Sequence, residues 1–376
     1  MAYKELATKG VQGLTPYLPG KPVEELEREL GITHSLKLAS NENPLGPSAS
    51  VQKALITALP LLHLYPDGSA HNLRHKLAQV HGLDMQQVTL GNGSNDVLEL
   101  IARTFLTEQS SAVFSEYAFA VYPIVVQAVG AQAKVANAYP VDHSSMPYGH
   151  DLDAMLSCID KNTKVVFLAN PNNPTGTWIE PAVLHEFLTK VDANVVVVLD
   201  EAYFEYMPDS LKPDSINWLN LFPNLIITRT FSKIHALAGL RVGYALSNAE
   251  IADLLNRVRQ PFNVNTMAQV AACAALDDET HVVQSVMINT QGLKQLMIGF
   301  DELGLNYIQS IGNFITVDMN QPAAPLYDAL LHEGVIVRPV ANYGLANHLR
   351  ITVGSYQQND RVLRALDSVL NGPAND

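Results

Sequence analysis

Cysteine is scarce in this chain: Cys158 and Cys273 are its only two in 376 residues, and neither lies in a C-x-x-C motif. Two cysteines allow at most one disulfide between them, and two thiols with apolar flanks read better as core residues in a reducing cytosol. Basic charge is also short, with 24 Lys and Arg against 37 Asp and Glu and a net charge of −13. Nucleic acid and anionic membranes need clustered cations, so neither is expected as a partner. An anionic substrate would have to find its cations locally, inside a site. No apolar run approaches the roughly 18 residues of a membrane span, and the opening Met1-Ala-Tyr-Lys-Glu lacks the basic and apolar regions of a signal peptide. A cytoplasmic location is therefore expected. Internal repeats and low-complexity segments are missing as well.

What is present is ordinary globular material, 47% hydrophobic and 16% charged, enough for two domains. Residues 1–45 are rich in Pro and Gly around one amphipathic stretch, Pro22 to Leu30, and read as an arm contributing to a small domain. Residues 46–264 alternate helical patterns with short apolar runs: Gln87–Leu90, Ala112–Phe114, Lys164–Leu168, Asn194–Leu199 and Leu225–Thr228. Runs apolar on both faces predict an α/β domain whose mostly parallel central sheet is flanked by helices. Residues 265–376 read as a smaller α+β domain, a long Ala- and Met-rich helical region followed by alternating strands and a last helix.

Ligands of such sheets bind beyond the carboxyl ends of the strands, so the residues following each run carry the functional information. After Leu90 comes Gly91-Asn-Gly-Ser-Asn-Asp96 and then a helical pattern, a candidate phosphate cradle. It lacks the third glycine of a dinucleotide fingerprint and the Gly-Lys-Ser/Thr of a P-loop. After Leu168 comes Ala169-Asn-Pro-Asn-Asn-Pro-Thr-Gly176. After Leu199 comes Asp200-Glu-Ala-Tyr203, a carboxylate where burial would raise its pKa. After Thr228 come Arg229-Thr-Phe-Ser-Lys233 and, further on, Arg241, a Lys placed for a lowered pKa and a nearby cation. Singly, each has a bland explanation: Asp200 an N-cap, Asn173 a turn residue, Lys233 a solvated loop residue. Together they match the needs of pyridoxal phosphate, whose pyridine nitrogen wants a carboxylate, whose aldehyde wants a Lys and whose phosphate wants N–H groups and Arg. His71 and His75, at i, i+4, have no third ligand nearby and read as a solvated helix face, so no metal is expected.

These motifs, with Leu14-Thr-Pro-Tyr-Leu-Pro-Gly20, Ser40-Asn-Glu-Asn-Pro-Leu-Gly-Pro47, Tyr65-Pro-Asp-Gly68, Gly239-Leu-Arg-Val-Gly243 and Leu349-Arg-Ile-Thr-Val-Gly354, span nearly the whole chain. They resemble the fold-type I, class-II aminotransferases, and within them the histidinol-phosphate aminotransferase group. The resemblance implies transamination between L-histidinol phosphate and 2-oxoglutarate, giving imidazole-acetol phosphate and glutamate, in histidine biosynthesis. By the same resemblance Lys233 would carry the cofactor as a Schiff base and shuttle the α-proton. Asp200 would pair with the pyridine nitrogen, Tyr203 and Asn173 would bond the ring hydroxyl, and Phe119 would stack on the ring. Phe119 departs from relatives with Tyr there, which puts any role of that hydroxyl in doubt. The phosphate would take Ser94, Asn95, Thr230, Ser232 and Arg241, with Tyr65 reaching it across the interface of a homodimer with shared active sites. Tyr17, Asn43, Arg338 and Arg350 would contact substrate.

Three rivals share parts of this pattern. An aromatic amino acid aminotransferase or a threonine-phosphate decarboxylase would use the same Lys, Asp and Arg. A non-catalytic pyridoxal-phosphate-binding regulator would need a DNA-binding module, and the residues before the first motif hold no helix-turn-helix pattern. A nicotinamide-binding oxidoreductase would leave Lys233 unexplained.

Overall fold

The computed structural model describes residues 3–17 and 19–372. The first strand, β1 (Leu36–Lys37), belongs to the small domain. Seven strands then build one sheet: β2 (Val88–Gly91), β3 (Ser111–Ser115), β4 (Gln132–Ala136), β5 (Thr163–Ala169), β6 (Val196–Asp200), β7 (Leu225–Thr230) and β8 (Gly243–Leu246). Their order across the sheet is β2-β8-β7-β6-β5-β3-β4, and β8 alone runs antiparallel to its neighbours. The sheet is thus mostly parallel, as the doubly apolar runs predict.

Burial on both faces follows from the period of two along each strand. Val166, Leu168, Val197, Leu199, Leu225 and Ile227 point into one core, which helices Ala49–Ala58, His71–His81, Pro181–Lys190 and Thr266–Leu276 cover. Val165, Phe167, Val198 and Ile226 point into the other, under Ser94–Phe105, Val121–Ala128 and Ala249–Val258. Each such side chain taken fully from water stabilises the fold by about 1.5–3 kcal/mol.

The helical region after residue 265 is two helices, not one. Asn265 caps the first by accepting from the Ala268 N–H, and Asp278 caps the second, Glu279–Glu302, by accepting from His281 N–H. The first helix buries Ala268, Ala271, Ala272 and Ala275 in the core of the large sheet. That helix, which lies beyond the expected boundary at 265, therefore packs on the large sheet. An alanine-rich face carries no sign of which core it will join.

Beyond it, β9 (Asn306–Ile308), β10 (Phe314–Asp318), β12 (Arg338–Pro339) and β13 (His348–Thr352) form an antiparallel sheet in the order β12-β13-β10-β9. β11 (Val335–Ile336) pairs with β1 in parallel. Leu36 and Leu38 share a core with Leu296, Phe300, Ile315 and Leu349. Helix Val23–Leu30 packs Leu26 beside Ile336. Cys158 and Cys273 are both free thiols. Among the described residues, no helix is long and apolar enough to cross a membrane.

Next to the end of β6, Glu201 is fully buried and meets Arg229 of β7 at 2.7 Å, while the guanidinium lies 3.8 Å from the centre of the Phe204 ring. Burial pulls the Arg229 proton affinity down, but Glu201 outweighs it and raises the pKa. Removing one member of such a pair strands the other in a medium of low polarity. Glu201→Ala should therefore destabilise the protein by about 3–5 kcal/mol in urea denaturation. A loss under 1 kcal/mol, the range of an exposed pair, would show that water reaches Arg229.

Candidate active site

The carboxyl ends of β2, β5, β6 and β7 open on one edge of the sheet, and a cavity of about 200 Å³ lies there. Its wall holds Ser94, Asn95, Phe119, Asn173, Asp200, Tyr203, Thr230, Ser232, Lys233 and Arg241 from the large domain. Tyr17, Arg338 and Arg350 close it from the other side. Arg338 and Arg350 are register partners on β12 and β13, so both side chains leave the same face of that sheet.

Lys233 follows β7 by three residues and its Nζ donates to the Ser40 carbonyl at 2.9 Å. Burial pulls its pKa down, and the Arg350 and Arg241 guanidinium groups push it further, to about 7. A neutral amine is a nucleophile, an ammonium is not. The rate at which pyridoxal phosphate becomes reducible onto Lys233 by borohydride, followed by mass spectrometry, should therefore rise with pH through a midpoint near 7 and level off above it. A midpoint close to that of an ordinary lysine would show that burial does not act on this amine.

Asp200 ends β6. Burial pushes its carboxyl up to about 6, against hydrogen bonds from the Tyr122 hydroxyl at 2.8 Å and the Ala202 N–H at 3.2 Å. Tyr203 lies over the Lys233 ammonium at 5.8 Å and accepts from the Asn41 amide at 2.9 Å; burial pushes its phenol up to about 12, so it stays a donor. Arg350 donates to Asn173 Oδ1 and, at 2.8 Å, to the Ala39 carbonyl. Its buried Nε has no partner within the protein, and Arg338 stands 5.4 Å from the Tyr17 ring.

At the β2 end, helix Ser94–Phe105 begins after Gly93, whose φ of 87° is the left-handed conformation that glycine tolerates. Gly93 has no side chain to cap the first turn, so its N–H groups face the cavity. A Cβ at Gly93 would collide with the Arg241 guanidinium. Arg241 itself holds a φ of 58°, a conformation its surroundings must impose on a residue with a side chain. Backbone N–H groups, two hydroxyls and a guanidinium thus converge on one spot, the donor set of a phosphate site.

Two expected site residues lie elsewhere. Asn43 is buried outside the cavity, its amide donating to the Ile234 carbonyl at 2.9 Å and to Ser285 Oγ at 2.8 Å. Those bonds tie the N-terminal segment to the Lys233 loop and leave the amide nothing for a substrate. Asn41, two residues earlier, lines the cavity in its place. Tyr65 is 84% exposed, stacked on Phe262 at 4.9 Å, and touches no part of this chain's cavity. Sequence reasoning also missed Asn41 and Tyr122. Asn41 sat unread inside the Ser40–Pro47 motif, while Tyr122 had no motif to mark it. His71 and His75 stack face to face, 6.0 Å apart, and among the described residues no three His, Cys, Asp or Glu side chains gather to hold a metal.

A buried acid, an amine poised near neutrality, an aromatic wall and a phosphate cradle around one cavity fit pyridoxal phosphate group by group. They define an enzyme of amino-group chemistry. The comparisons narrow the class. Residues 33–366 match the family described as aminotransferase class I and II. Histidinol-phosphate aminotransferase 2 of Pseudomonas fluorescens (strain Pf0-1) is 57% identical over 367 residues, 97% of each chain. That of Methylococcus capsulatus is 54% identical, covering 98% of this chain and all of its own. The solved histidinol-phosphate aminotransferase of Sinorhizobium meliloti, in complex with pyridoxal-5′-phosphate, superposes with a TM-score of 0.87 at 28% identity, covering 97% of both chains. The chain belongs to the class I and II aminotransferase family. It is an aminotransferase, and pyridoxal phosphate is its cofactor.

Proposed function

We propose that the enzyme moves the amino group of L-histidinol phosphate to 2-oxoglutarate, yielding imidazole-acetol phosphate and glutamate in histidine biosynthesis. The observation that carries this reading is the Arg338–Arg350 pair facing one cavity in a protein of net charge −13. A phosphorylated amino alcohol and a dicarboxylate share no side chain, but both present anionic oxygens, and a guanidinium receives either. The named relatives support the same substrate.

When bound, pyridoxal phosphate supplies an aldehyde that exchanges amino groups and a protonated ring that draws electrons from the substrate α-carbon. Asp200 would hold the proton on the ring nitrogen. Asn173 and Tyr203, the latter steadied by Asn41, would bond the ring hydroxyl, and Phe119 would supply an aromatic wall. Ser94, Asn95, Thr230, Ser232 and Arg241 would hold the phosphate. Lys233 Nζ, with a pKa lowered to about 7 and so a large neutral fraction at that pH, would remove the proton from the substrate α-carbon and return one. Arg350 and Arg338 orient the anionic end of either substrate, with Tyr17 beside them. Asp200, Tyr203, Arg338 and Arg350 are buried, which limits water beside the reacting carbon.

Glutamate formation from histidinol phosphate and 2-oxoglutarate tests the assignment. Faster turnover of phenylalanine or tyrosine, or carbon dioxide release from threonine phosphate with no glutamate formed, would overturn it.

The working form is a cytoplasmic homodimer with C2 symmetry and shared sites. Tyr65 supports this reading, exposed among the likewise exposed Leu59, Leu62 and Leu64, since a patch of that kind marks an interface. Tyr65→Phe should leave the sedimentation coefficient of a dimer unchanged and weaken cofactor retention by about tenfold, one lost charge-assisted bond. Retention equal to the parent's in a confirmed dimer would remove Tyr65 from the site.

A further inference from the structure

Tyr122 belongs to no motif, yet it is among the most deeply buried large side chains of the protein. Its ring stacks on Phe167 of β5 at 4.9 Å and 13° and meets Phe119 edge-on at 5.8 Å and 88°. Its hydroxyl donates to Asp200 Oδ2 at 2.8 Å, while the Ala202 N–H donates to Oδ1 at 3.2 Å. One residue thus touches both the acid of the cofactor site and the aromatic wall beside it.

From this geometry we infer that Tyr122 is a positioning residue, orienting the Asp200 carboxylate and keeping it ionised so that it can hold the cofactor's ring nitrogen. The inference rests on the reading of Asp200 as that nitrogen's partner. A carboxylate pinned by one donor on each oxygen cannot rotate, and its remaining lone pairs point in fixed directions. A phenol also stabilises the charged carboxylate, since it donates and, deep in the core, does not ionise itself. Of the side chains around Asp200, Tyr122 does most of this task. Glu201 carries the same sign and is taken up by Arg229; Tyr203 faces the cavity and Asn41; the Thr228 hydroxyl on β7 also favours the charged carboxylate, but less than Tyr122 does. Phe119 rests against the Tyr122 ring, so the wall of the cavity and the orientation of the acid are set by one side chain.

Tyr122→Phe deletes the hydroxyl and keeps the ring. The readout is the affinity for pyridoxal phosphate of the cofactor-free protein carrying Lys233→Ala as the common parent, so that the amine titrating near 7 takes no part, measured by equilibrium dialysis from pH 5 to 9. In the parent protein affinity should fall with decreasing pH as Asp200 takes up a proton. In Tyr122→Phe the carboxyl loses a donor and its pKa rises. The midpoint of that fall should then move up by about one pH unit, so affinity should drop about twofold at pH 7 and approach a tenfold loss at pH 5. Phe167→Leu, which loosens the same packing without touching the hydrogen bond, should lower stability and leave the midpoint in place. A midpoint shared by Tyr122→Phe and its parent would overturn the inference, as would a shift in Phe167→Leu as large as that in Tyr122→Phe. Should Tyr122→Phe fail to fold, the Phe167→Leu midpoint still decides, because a packing role predicts that it moves. If the parent itself bound no pyridoxal phosphate at any pH, the failure would belong to the cofactor reading instead.

Discussion

Lys233→Ala should retain the fold, bind pyridoxal phosphate only reversibly and lose turnover by at least about 10²–10⁴-fold, the contribution of a positioned proton-transfer group. Two measurements check it: kcat with histidinol phosphate and 2-oxoglutarate, and the mass of the protein after borohydride reduction with cofactor. The parent should gain the mass of the reduced cofactor on Lys233, and the variant should gain none. The physical basis is that, among the described residues, no other amine lines the cavity wall. The fold should persist because Lys233 gives up a single hydrogen bond, to the Ser40 carbonyl, and the burial that lowers its pKa opposes its charged form. A variant that still turned over within tenfold of the parent would place the chemistry on another group.

The second large effect concerns Asp200. Asp200→Asn removes the charge that holds the ring nitrogen's proton, and turnover should fall by about 10²–10³-fold, as for loss of one preorganised electrostatic partner. The same substitution should act on stability in the opposite direction. The folded carboxyl has a pKa of about 6, above its ordinary 3.8, so the native state binds the proton more tightly than the unfolded chain. Stability of the cofactor-free protein should therefore be greatest below the unfolded value and decline as pH rises through 6, with nothing further lost above. Asp200→Asn carries no such penalty. Without cofactor it should be more stable than its parent by about 2–3 kcal/mol at pH 8, an advantage that shrinks at pH 5 and vanishes at more acid pH. Urea titrations at three pH values check this; a variant less stable than its parent at pH 8 would show that the empty site already neutralises the carboxylate. Both effects express one trade: a buried acid lowers the stability of the empty protein and is what the bound ring requires.

The difference between what was legible and what was not follows the range of the interactions. The apolar runs ending in Leu168, Leu199 and Thr228 announced strands buried on both faces, and the residues just past them announced the groups of the site. Both signals are local, because a parallel sheet delivers its strand ends to one edge whatever the details of packing. Asn43 was misassigned through the same locality. The Ser40–Pro47 segment borders the cavity, but only the three-dimensional course of the chain, with Asn41 at a φ of 55°, decides which of its two asparagines faces the ligand. That the helix Thr266–Leu276 packs on the large sheet was not legible, because an alanine face fits either core.

By itself, then, the sequence determined the kind of sheet, the set of chemical groups at its edge and the family to which the chain belongs, since each depends on neighbours in the chain or on spacing within one strand and its loop. Tertiary structure alone decided that Tyr122 would reach Asp200 from 78 positions away. It also paired Arg229 with Glu201 and brought Arg338 and Arg350 of the small domain to close a cavity begun by the large one. Those contacts arise between surfaces that meet only after both cores have packed, and no local periodicity encodes which surfaces those will be.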